Sequence, residues 1–397
     1  MASISHSPSR RIYLDNAATS WPKPESVLAA VDHYMRHIGA AAGRGGYRHG
    51  IEANRIVADA RKRAAELLGA ADPRQVVFTC SGTDALNLAL HGVLRPGDHV
   101  VTSVVEHNSV LRPLKHLELT ADVQVTRVGC GASGIVDPDD VRRAVTRQTR
   151  LVALIHVSNV TGAVQPIAEV GRIARGVGAL FLVDAAQSIG SLPADVTQWT
   201  ADLVAAPAHK GMLAPLGLGI LYVAPGIERQ LAPLRQGGTG TQSEQDRQPE
   251  SLPDKYEAGN HNVPAIAGLG AALAYLKQRG VDSVREHERR LTDRLLVGLA
   301  GIHGITVYGP ADANRQGSVV SFNVAGYDPQ EVAGTLDAAY AVEARAGFHC
   351  APLMHQALGT DKNGGTVRLS AGPFSTEHDI DKAVRAVTEI ASAAVGA

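Results

Sequence analysis

Two apolar runs decide the fold of this chain: FLVDAAQ at residues 181–187 and LVAAPAHK at residues 203–210. Each run is typical of a buried strand that ends in an ionisable side chain, Asp184 in the first and Lys210 in the second. Because neighbouring parallel strands end at the same edge of a sheet, we expect this carboxylate and this amine to lie close together.

A lysine and a carboxylate at one sheet edge meet the requirements of pyridoxal 5'-phosphate (PLP). This cofactor needs a lysine for a Schiff base and an acid that keeps its pyridine nitrogen protonated. Either residue alone carries little information. Together, in this order and spacing, Asp184 and Lys210 predict a PLP site.

More apolar strands alternate with helical stretches before and between these runs. We predict strands at 76–79, 99–102, 123–128 and 151–155, and helices at 25–37, 52–68 and 83–94. Continuous apolar strands separated by helices indicate a mainly parallel sheet covered on both faces, an α/β fold. Beyond an aperiodic polar stretch at 237–264, short strands at 306–308 and 319–322 and a final helix opened by a capping box at 376–379 predict a smaller second domain.

Composition excludes several functional classes. The chain has 38 Lys and Arg residues against 39 Asp and Glu, a net charge of -1, which does not favour nucleic acid or an anionic membrane as a partner. A basic cluster between residues 44 and 63 is read as the solvated face of a helix. Three cysteines, no signal-peptide pattern and no apolar run near the ~18 residues of a membrane span lead us to expect a cytoplasmic protein.

Two glycine-containing segments compete as phosphate sites. GCGASG at 129–134 has dinucleotide-site spacing, but no helix opens there and no acid follows about 20 residues on, so we predict a turn. CSGTDALN at 80–87 follows a strand and opens a helix, so the N–H groups of Gly82 and Thr83 and the Thr83 hydroxyl are candidate phosphate ligands. An ordinary helix cap is the alternative for this segment.

Three more polar side chains are expected at the same sheet edge. His107 could stack on a flat cofactor and move protons, while Asn159 and Gln187 could hydrogen-bond its phenolate oxygen. Two further candidates lie in the C-terminal third. Cys350 is in a glycine-flanked loop suited to an exposed thiolate, and Arg368 begins a strand from which it could bind a carboxylate. Taken singly, each of these residues is also compatible with a structural role.

With these motifs in view, nearly the whole chain resembles the cysteine desulfurases of the class V aminotransferase family, and most of all the group that includes selenocysteine lyases. The motifs that carry the resemblance are YLDNAAT at 13–19, EH at 106–107, HVSN at 156–159, DAAQ at 184–187, HK at 209–210, EAG at 257–259 and RAGFHCA at 345–351. The resemblance implies fold type I of PLP enzymes, with a seven-stranded, mainly parallel sheet and a smaller α+β domain. It also implies an N-terminal segment, 1–25, packed on the small domain, a large PLP-binding domain, 26–264, and a small domain, 265–397, that carries Cys350 and Arg368.

The resemblance also assigns a role to each candidate residue, and none to a metal. By this resemblance, Lys210 is the Schiff-base lysine, Asp184 the pyridinium partner and His107 the stacking and proton-handling imidazole. The cofactor's phenolate would contact Asn159 and Gln187, and its phosphate would be bound by Gly82, Thr83 and His209. The substrate carboxylate would contact Arg368 and Asn159, and Cys350 would be the sulfur-accepting nucleophile. The implied activity converts L-cysteine, or a related thiol or selenol amino acid, to alanine and leaves a persulfide for an acceptor protein or a small thiol. A homodimer is implied as well.

Two positions depart from the family pattern. Pro207 occupies a position where the family usually has a phosphate-binding serine, and Asn260 replaces a threonine that reaches the phosphate of the partner subunit. An amide can replace a hydroxyl donor, whereas a proline cannot; Thr239 or Thr241 are candidates to compensate. The open alternatives are another reaction on the same scaffold (C–S lyase, aminotransferase or epimerase) and a weakly active sulfur-delivery scaffold.

Overall fold

The computed structural model describes residues 11–43 and 45–395, and the side chains of those residues up to 393. Residues 1–10, Arg44 and residues 396–397, which belong to the predicted N-terminal segment, basic cluster and small domain, lie outside the described part. The strands are β1 (Ile12–Tyr13), β2 (Val76–Thr79), β3 (His99–Ser103), β4 (Gln124–Val128), β5 (Thr149–Ile155), β6 (Leu180–Asp184), β7 (Leu203–Pro207), β8 (Gly219–Val223), β9 (Ile305–Tyr308), β10 (Val319–Val324), β11 (Val342–Glu343), β12 (Arg345–Gly347) and β13 (Thr366–Ser370). The α-helices are α1 (Glu25–His33), α2 (Arg48–Leu68), α3 (Gly82–Val93), α4 (Asn108–Ala121), α5 (Pro138–Ala144), α6 (Ile167–Val177), α7 (Val263–Arg279), α8 (Val281–Ala300), α9 (Pro329–Tyr340), α10 (Pro352–Leu358) and α11 (Glu377–Val395).

A seven-stranded sheet with the order β2-β8-β7-β6-β5-β3-β4 forms the centre of the larger part. The neighbours from β7 through β6, β5 and β3 to β4 are parallel, and β8 runs antiparallel to both β2 and β7. The prediction of a mainly parallel, seven-stranded α/β sheet is therefore confirmed. Strand β8 was not predicted.

Apolar side chains cover both faces of this sheet. Val76 and Phe78 of β2 pack in one core cluster with α1, α2, α6 and α7, whereas Val77 faces the opposite cluster with α3 and α4. This alternation follows from the two-residue period of a strand, and it explains why these strands read as continuous apolar runs.

A second, four-stranded sheet with the order β12-β13-β10-β9 carries the C-terminal candidates. Strand β1 pairs in parallel with β11, and Ile12 and Leu14 are buried in the core of this smaller part. The predicted boundary between residues 264 and 265 falls inside α7, which packs against α1 and α2 of the larger part. The division into 1–25, 26–264 and 265–397 stays a prediction.

Local motifs match the predictions in two places and differ in one. Residues 129–134 form a turn before α5, and Thr376 and Asp379 exchange capping hydrogen bonds at the start of α11. The basic cluster is not entirely solvated, because Arg61 is buried and forms an ion pair with Glu257 at 2.6 Å. Within the described part of the chain, no helix combines the length and apolar character required to cross a membrane.

Candidate functional site

A cleft at the carboxyl edge of the seven-stranded sheet brings most of the predicted site residues together. Its volume, including the part open to solvent, is about 480 Å³. Its lining includes Gly82, Thr83, His107, Asn159, Asp184, Gln187, His209 and Lys210, with Ser81, Ser109 and Pro207 between them. These side chains meet because β2, β3, β5, β6 and β7 all deliver their following residues to one edge.

Asp184 and Lys210 are the charged pair at the floor of this cleft. Asp184 is 2% exposed, and its Oδ1 accepts a hydrogen bond from the backbone N–H of Ala186 at 2.9 Å. Burial raises the pKa of Asp184 above its usual range, and burial lowers the pKa of Lys210 to about 8 despite the opposing attraction of Asp184. A neutral lysine amine is therefore accessible near physiological pH, as a lysine nucleophile requires.

The amino-terminal end of α3 forms a second feature of the cleft. Ser81 caps this helix by accepting from the N–H of Asp84 at 3.1 Å, and Gly82 and Thr83 occupy its first turn. A Cβ atom on Gly82 would lie 2.8 Å from Cδ of Pro207, so only glycine allows the proline to pack here. Nearby, the buried Nδ1 of His209 has no hydrogen-bond partner among the described residues.

His107 is held in one orientation at the wall of the cleft. It is the N-cap of α4, and its Nδ1 accepts from the backbone N–H of Ser109 at 3.0 Å. Burial lowers the pKa of His107 to about 4, with a smaller contribution from the positive charge of Lys210. The neutral ring then carries its proton on Nε2.

The turn that carries Lys210 is held by Thr19, Ser20 and Lys23 of the N-terminal segment, for which the sequence predicted no role. The carbonyl oxygen of His209 accepts from Thr19 Oγ1, Ser20 N, Ser20 Oγ and Lys23 Nζ at 3.2, 3.1, 3.0 and 2.8 Å. Such dense donation to a single carbonyl fixes the backbone directly before Lys210.

Arg368 approaches the cleft from β13 of the smaller sheet. Its guanidinium is 1% exposed; Nη2 donates to Asp15 Oδ1 at 2.7 Å and Nη1 donates to the carbonyl oxygen of Asn159 at 3.0 Å. Its Nε is buried and has no partner among residues 11–43 and 45–395. Asp15 and Asn159 thus set the direction of the guanidinium, and Nε keeps an unused donor.

Cys350 lies on a short loop that is tied to both sheets. The carbonyl oxygen of Cys350 accepts from the backbone N–H of Asn108 at 2.7 Å, and that of His349 accepts from Asn159 Nδ2 at 2.5 Å. Arg345 Nη2 lies 3.6 Å from the Cys350 sulfur. Because Asn108 follows His107 directly, these contacts connect the loop of Cys350 with the wall of the cleft.

A buried acid that sequence reasoning left without a role lies behind the cleft. Glu106 is fully buried, and its Oε1 accepts from Ser103 Oγ at 2.5 Å and from the N–H of Ile155 at 3.2 Å. Burial, with a smaller contribution from the charge of Asp184, raises the pKa of Glu106 to about 8. Its position directly before His107 was the only signal for it in the sequence.

Gln187 lines the main cleft but its amide is already engaged, whereas Arg368, Cys350 and Asn260 are not among the lining residues. The amide nitrogen of Gln187 donates to the carbonyl oxygen of Ala17 at 2.9 Å, so this donor already has a backbone partner. Asn260 does not line the main cleft; it lines a separate pocket with Cys80, Arg235 and Glu257. Thr239 and Thr241 hydrogen-bond to each other and do not line the main cleft either.

Comparison with known proteins agrees with this architecture. Residues 12–383 match the family model Aminotransferase class-V, and the chain belongs to that family. A probable cysteine desulfurase of Methanothermobacter thermautotrophicus is 38% identical over 385 residues, which cover 96% of this chain and 94% of that protein.

Solved structures lead to the same family. The apo structure of a cysteine desulfurase from Thermococcus onnurineus superposes with a TM-score of 0.91 at 31% identity, covering 96% of this chain and 95% of that one. The cysteine desulfurase CsdA of Escherichia coli, in an S-sulfonic acid form, gives a TM-score of 0.84 at 29% identity and covers 96% of this chain and 94% of that one.

Proposed function

We propose that this chain is a PLP-dependent cysteine desulfurase, which takes the sulfur of L-cysteine and leaves L-alanine and a persulfide on Cys350. The observation that carries this proposal is the connection of the Cys350 loop, through Asn108 and Asn159, to a cleft that contains the Lys210 and Asp184 pair. The activities named for its relatives in Methanothermobacter and Thermococcus support the same reaction.

The cleft suits PLP in its chemistry as well as its position. The first turn of α3 offers N–H groups and the Thr83 hydroxyl to a phosphate, and the unpartnered Nδ1 of His209 is available to the same group. Lys210 would hold the cofactor covalently and Asp184 would bind its pyridine nitrogen, while the unpartnered Oδ1 of Asn159 leaves that side chain open to a polar contact. When bound, PLP withdraws electrons from the α carbon of the amino acid.

Each protein group then has a defined task. Arg368 binds the substrate carboxylate and fixes the α carbon within reach of Lys210, which removes and returns the α proton. His107 stacks on the cofactor, with its Nε2 proton held ready for transfer by the fixed acceptor role of Nδ1.

Cys350 performs the sulfur transfer. Its thiolate forms an S–S bond with the substrate sulfur while the carbon–sulfur bond breaks. The electron pair of that bond remains on the carbon fragment, which takes up a proton and leaves as alanine. A soft sulfur nucleophile suits this step, and Arg345 Nη2 lies 3.6 Å from the Cys350 sulfur.

The proposal also covers the oligomeric state of the protein and the acceptor of its sulfur. Leu28, Met35, Tyr47, Ile51 and Leu216 are at least half exposed, and a homodimer that covered them would bury large apolar side chains. Asn260, outside the main cleft of its own chain, would then reach the phosphate of the partner subunit. A monomer in sedimentation with full activity would contradict this arrangement.

We further propose a cytoplasmic location and a protein or small thiol as sulfur acceptor.

The decisive experiment compares Cys350→Ala with Cys130→Ala, a matched change in the turn before α5. Cys350→Ala should keep the covalent cofactor adduct and bind cysteine, yet release no alanine and carry no persulfide, while Cys130→Ala should resemble the wild type. Alanine, pyruvate and protein persulfide are measured together. Wild-type alanine release by Cys350→Ala would overturn the proposal, and pyruvate with ammonia would favour a C–S lyase.

A further inference from the structure

Ser109 is a buried residue of the cleft wall that the proposed reaction does not use. It is 8% exposed and lies in the first turn of α4, facing the first turn of α3. Its Oγ lies 2.8 Å from Thr83 Oγ1 and 2.9 Å from His107 Nδ1. A single hydroxyl group therefore connects the candidate phosphate ligand with the candidate proton-handling imidazole.

Thr83, Ser109 and His107 are connected by two hydrogen bonds, whose direction is constrained at the His107 end. The backbone N–H of Ser109 donates to His107 Nδ1 at 3.0 Å, and a backbone N–H can only donate, so Nδ1 of the neutral ring is an acceptor. With Nδ1 as the acceptor, the Ser109 hydroxyl can donate either to Nδ1 or to Thr83 Oγ1, but not to both at once.

An anion at the amino-terminal end of α3 decides between these two states. When Thr83 donates its hydroxyl proton to a phosphate, Thr83 Oγ1 becomes the acceptor from Ser109. The Ser109 hydroxyl then no longer donates to His107 Nδ1, which keeps only the hydrogen bond from the backbone N–H of Ser109, so the neutral ring is less stabilised. When no anion is bound, Thr83 can donate to Ser109, and Ser109 to Nδ1, which favours the neutral ring.

We propose that Ser109 is a positioning residue that reports occupancy of the phosphate site at α3 to His107 by reversing the hydrogen bonds between Thr83, Ser109 and His107. The proposal rests on the proposed function, because it takes Thr83 as a phosphate ligand and His107 as the proton-handling group. Its consequence is that the imidazole holds a proton more readily when the site is loaded than when it is empty.

The other charges around His107 act in the opposite direction. Lys210 after β7, Arg345 of β12, Arg112 of α4 and Arg368 of β13 all disfavour a protonated ring. A bound phosphate also attracts the protonated ring directly across the cleft. The test must therefore separate this direct attraction from the contribution of the Ser109 hydroxyl.

The experiment uses the full-length protein without PLP and inorganic phosphate as the probe. The ring nitrogens of His107 are followed by NMR against pH, with and without phosphate, in wild type, Ser109→Ala and Ser109→Thr; His107→Gln identifies the signal. In the wild type we expect phosphate to raise the His107 pKa, and removal of the hydroxyl to reduce that shift by about 0.5–1 pH unit, the size of one net hydrogen bond. Ser109→Thr, which keeps the hydroxyl, should behave as the wild type.

Thr83→Val provides a second route to the same link if Ser109→Ala does not fold. It leaves Ser109 and His107 in contact but removes the hydroxyl between them and the anion. Because Thr83 is itself a candidate phosphate ligand, phosphate is added to saturation in each variant, and the shift at saturation should again be the smaller one. An equal phosphate-induced shift in wild type, Ser109→Ala and Thr83→Val would overturn the inference. Covalent capture of PLP by Lys210 is measured separately. If the proposed function fails, that adduct is absent while the response of His107 to phosphate remains.

Discussion

The two sides of the cleft are built in different ways. On the side of the seven-stranded sheet, Asp184 ends β6 and His107 and Lys210 follow β3 and β7, and none of the three has a left-handed backbone angle. On the side of the four-stranded sheet, His349 and Cys350 both have left-handed backbone angles, with φ of 46° and 61°. Such angles cost non-glycine residues about 1–3 kcal/mol each, and they persist only where surrounding contacts enforce them.

Those contacts come largely from the other side. Asn108 and Asn159, which follow strands of the large sheet, hold the carbonyl oxygens of Cys350 and His349. Within the small sheet, His349 Nε2 lies 3.0 Å from the carbonyl oxygen of Thr366. The large-sheet side thus needs no left-handed backbone at Asp184, Lys210 or His107, whereas the position of the thiol depends on contacts across the cleft.

The largest effect is expected on the large-sheet side, from Lys210→Ala. Without its amine the protein cannot capture the cofactor or move the α proton, so alanine formation should fall by about 10²–10⁴-fold or more. Borohydride reduction followed by peptide mass spectrometry should find no pyridoxyl adduct, whereas the exposed-lysine control Lys115→Ala should retain it at position 210. An adduct in Lys210→Ala would disprove the assignment.

A change on the small-sheet side should act on substrate and spare the cofactor. Arg368→Lys keeps a positive charge but loses the fork that contacts Asp15, Asn159 and a carboxylate together. We expect KM for cysteine to rise about tenfold to a hundredfold, with an unchanged dissociation constant for PLP measured by equilibrium dialysis. Equal losses of cofactor and substrate affinity would show that the two sides are not separable.

The rate at which Lys210 captures the cofactor should depend on pH, which tests the large-sheet side of the cleft separately. Burial lowers the pKa of Lys210 to about 8, and only the neutral amine attacks an aldehyde. The rate of capture by the protein without PLP should therefore rise about tenfold from pH 7 to pH 9 and then level off, as stopped-flow absorbance can measure. The free energy of unfolding changes in the same direction. Between about pH 8 and pH 10.5 the unfolded state binds more protons at this lysine than the folded state does. The penalty of burying the charged Lys210 therefore disappears as the pH rises through that range. A capture rate independent of pH would contradict the lowered pKa.

The smallest effect is expected from removing one contact across the cleft. Asn108 is the first residue of α4, where proline is accepted, and His107 before it has an extended conformation that suits a following proline. Asn108→Pro removes the N–H that donates to Cys350 and should slow persulfide formation a few-fold to about tenfold, with PLP binding retained. Asn108→Ala keeps that N–H and serves as the control. Identical rates in both variants would show that this contact does not position the thiol.

The sequence predicts the two sides of the cleft to different extents. Asp184, Lys210, His107, Asn159 and Thr83 could be placed because strand ends in a parallel sheet share an edge, and strands are visible as apolar runs. Strand β8 was missed although its run, GILYV, is equally apolar, because no recognised motif followed it. The contacts of Ser109 and Asp15 were not predicted because nothing in the local pattern reveals what a short polar side chain contacts across the fold.

The sequence by itself determined the α/β class, the sheet edge that holds the cleft and the chemistry of the residues delivered there, since these depend on local periodicity and residue type. Only the tertiary structure decided that Asp15 pairs with the buried Arg368, that Arg61 is buried with Glu257, and that Asn108 holds the loop of Cys350. The physical reason is sequence separation. Each of these contacts joins residues far apart in the chain, and its geometry depends on how two sheets and their helices pack, which no local pattern encodes.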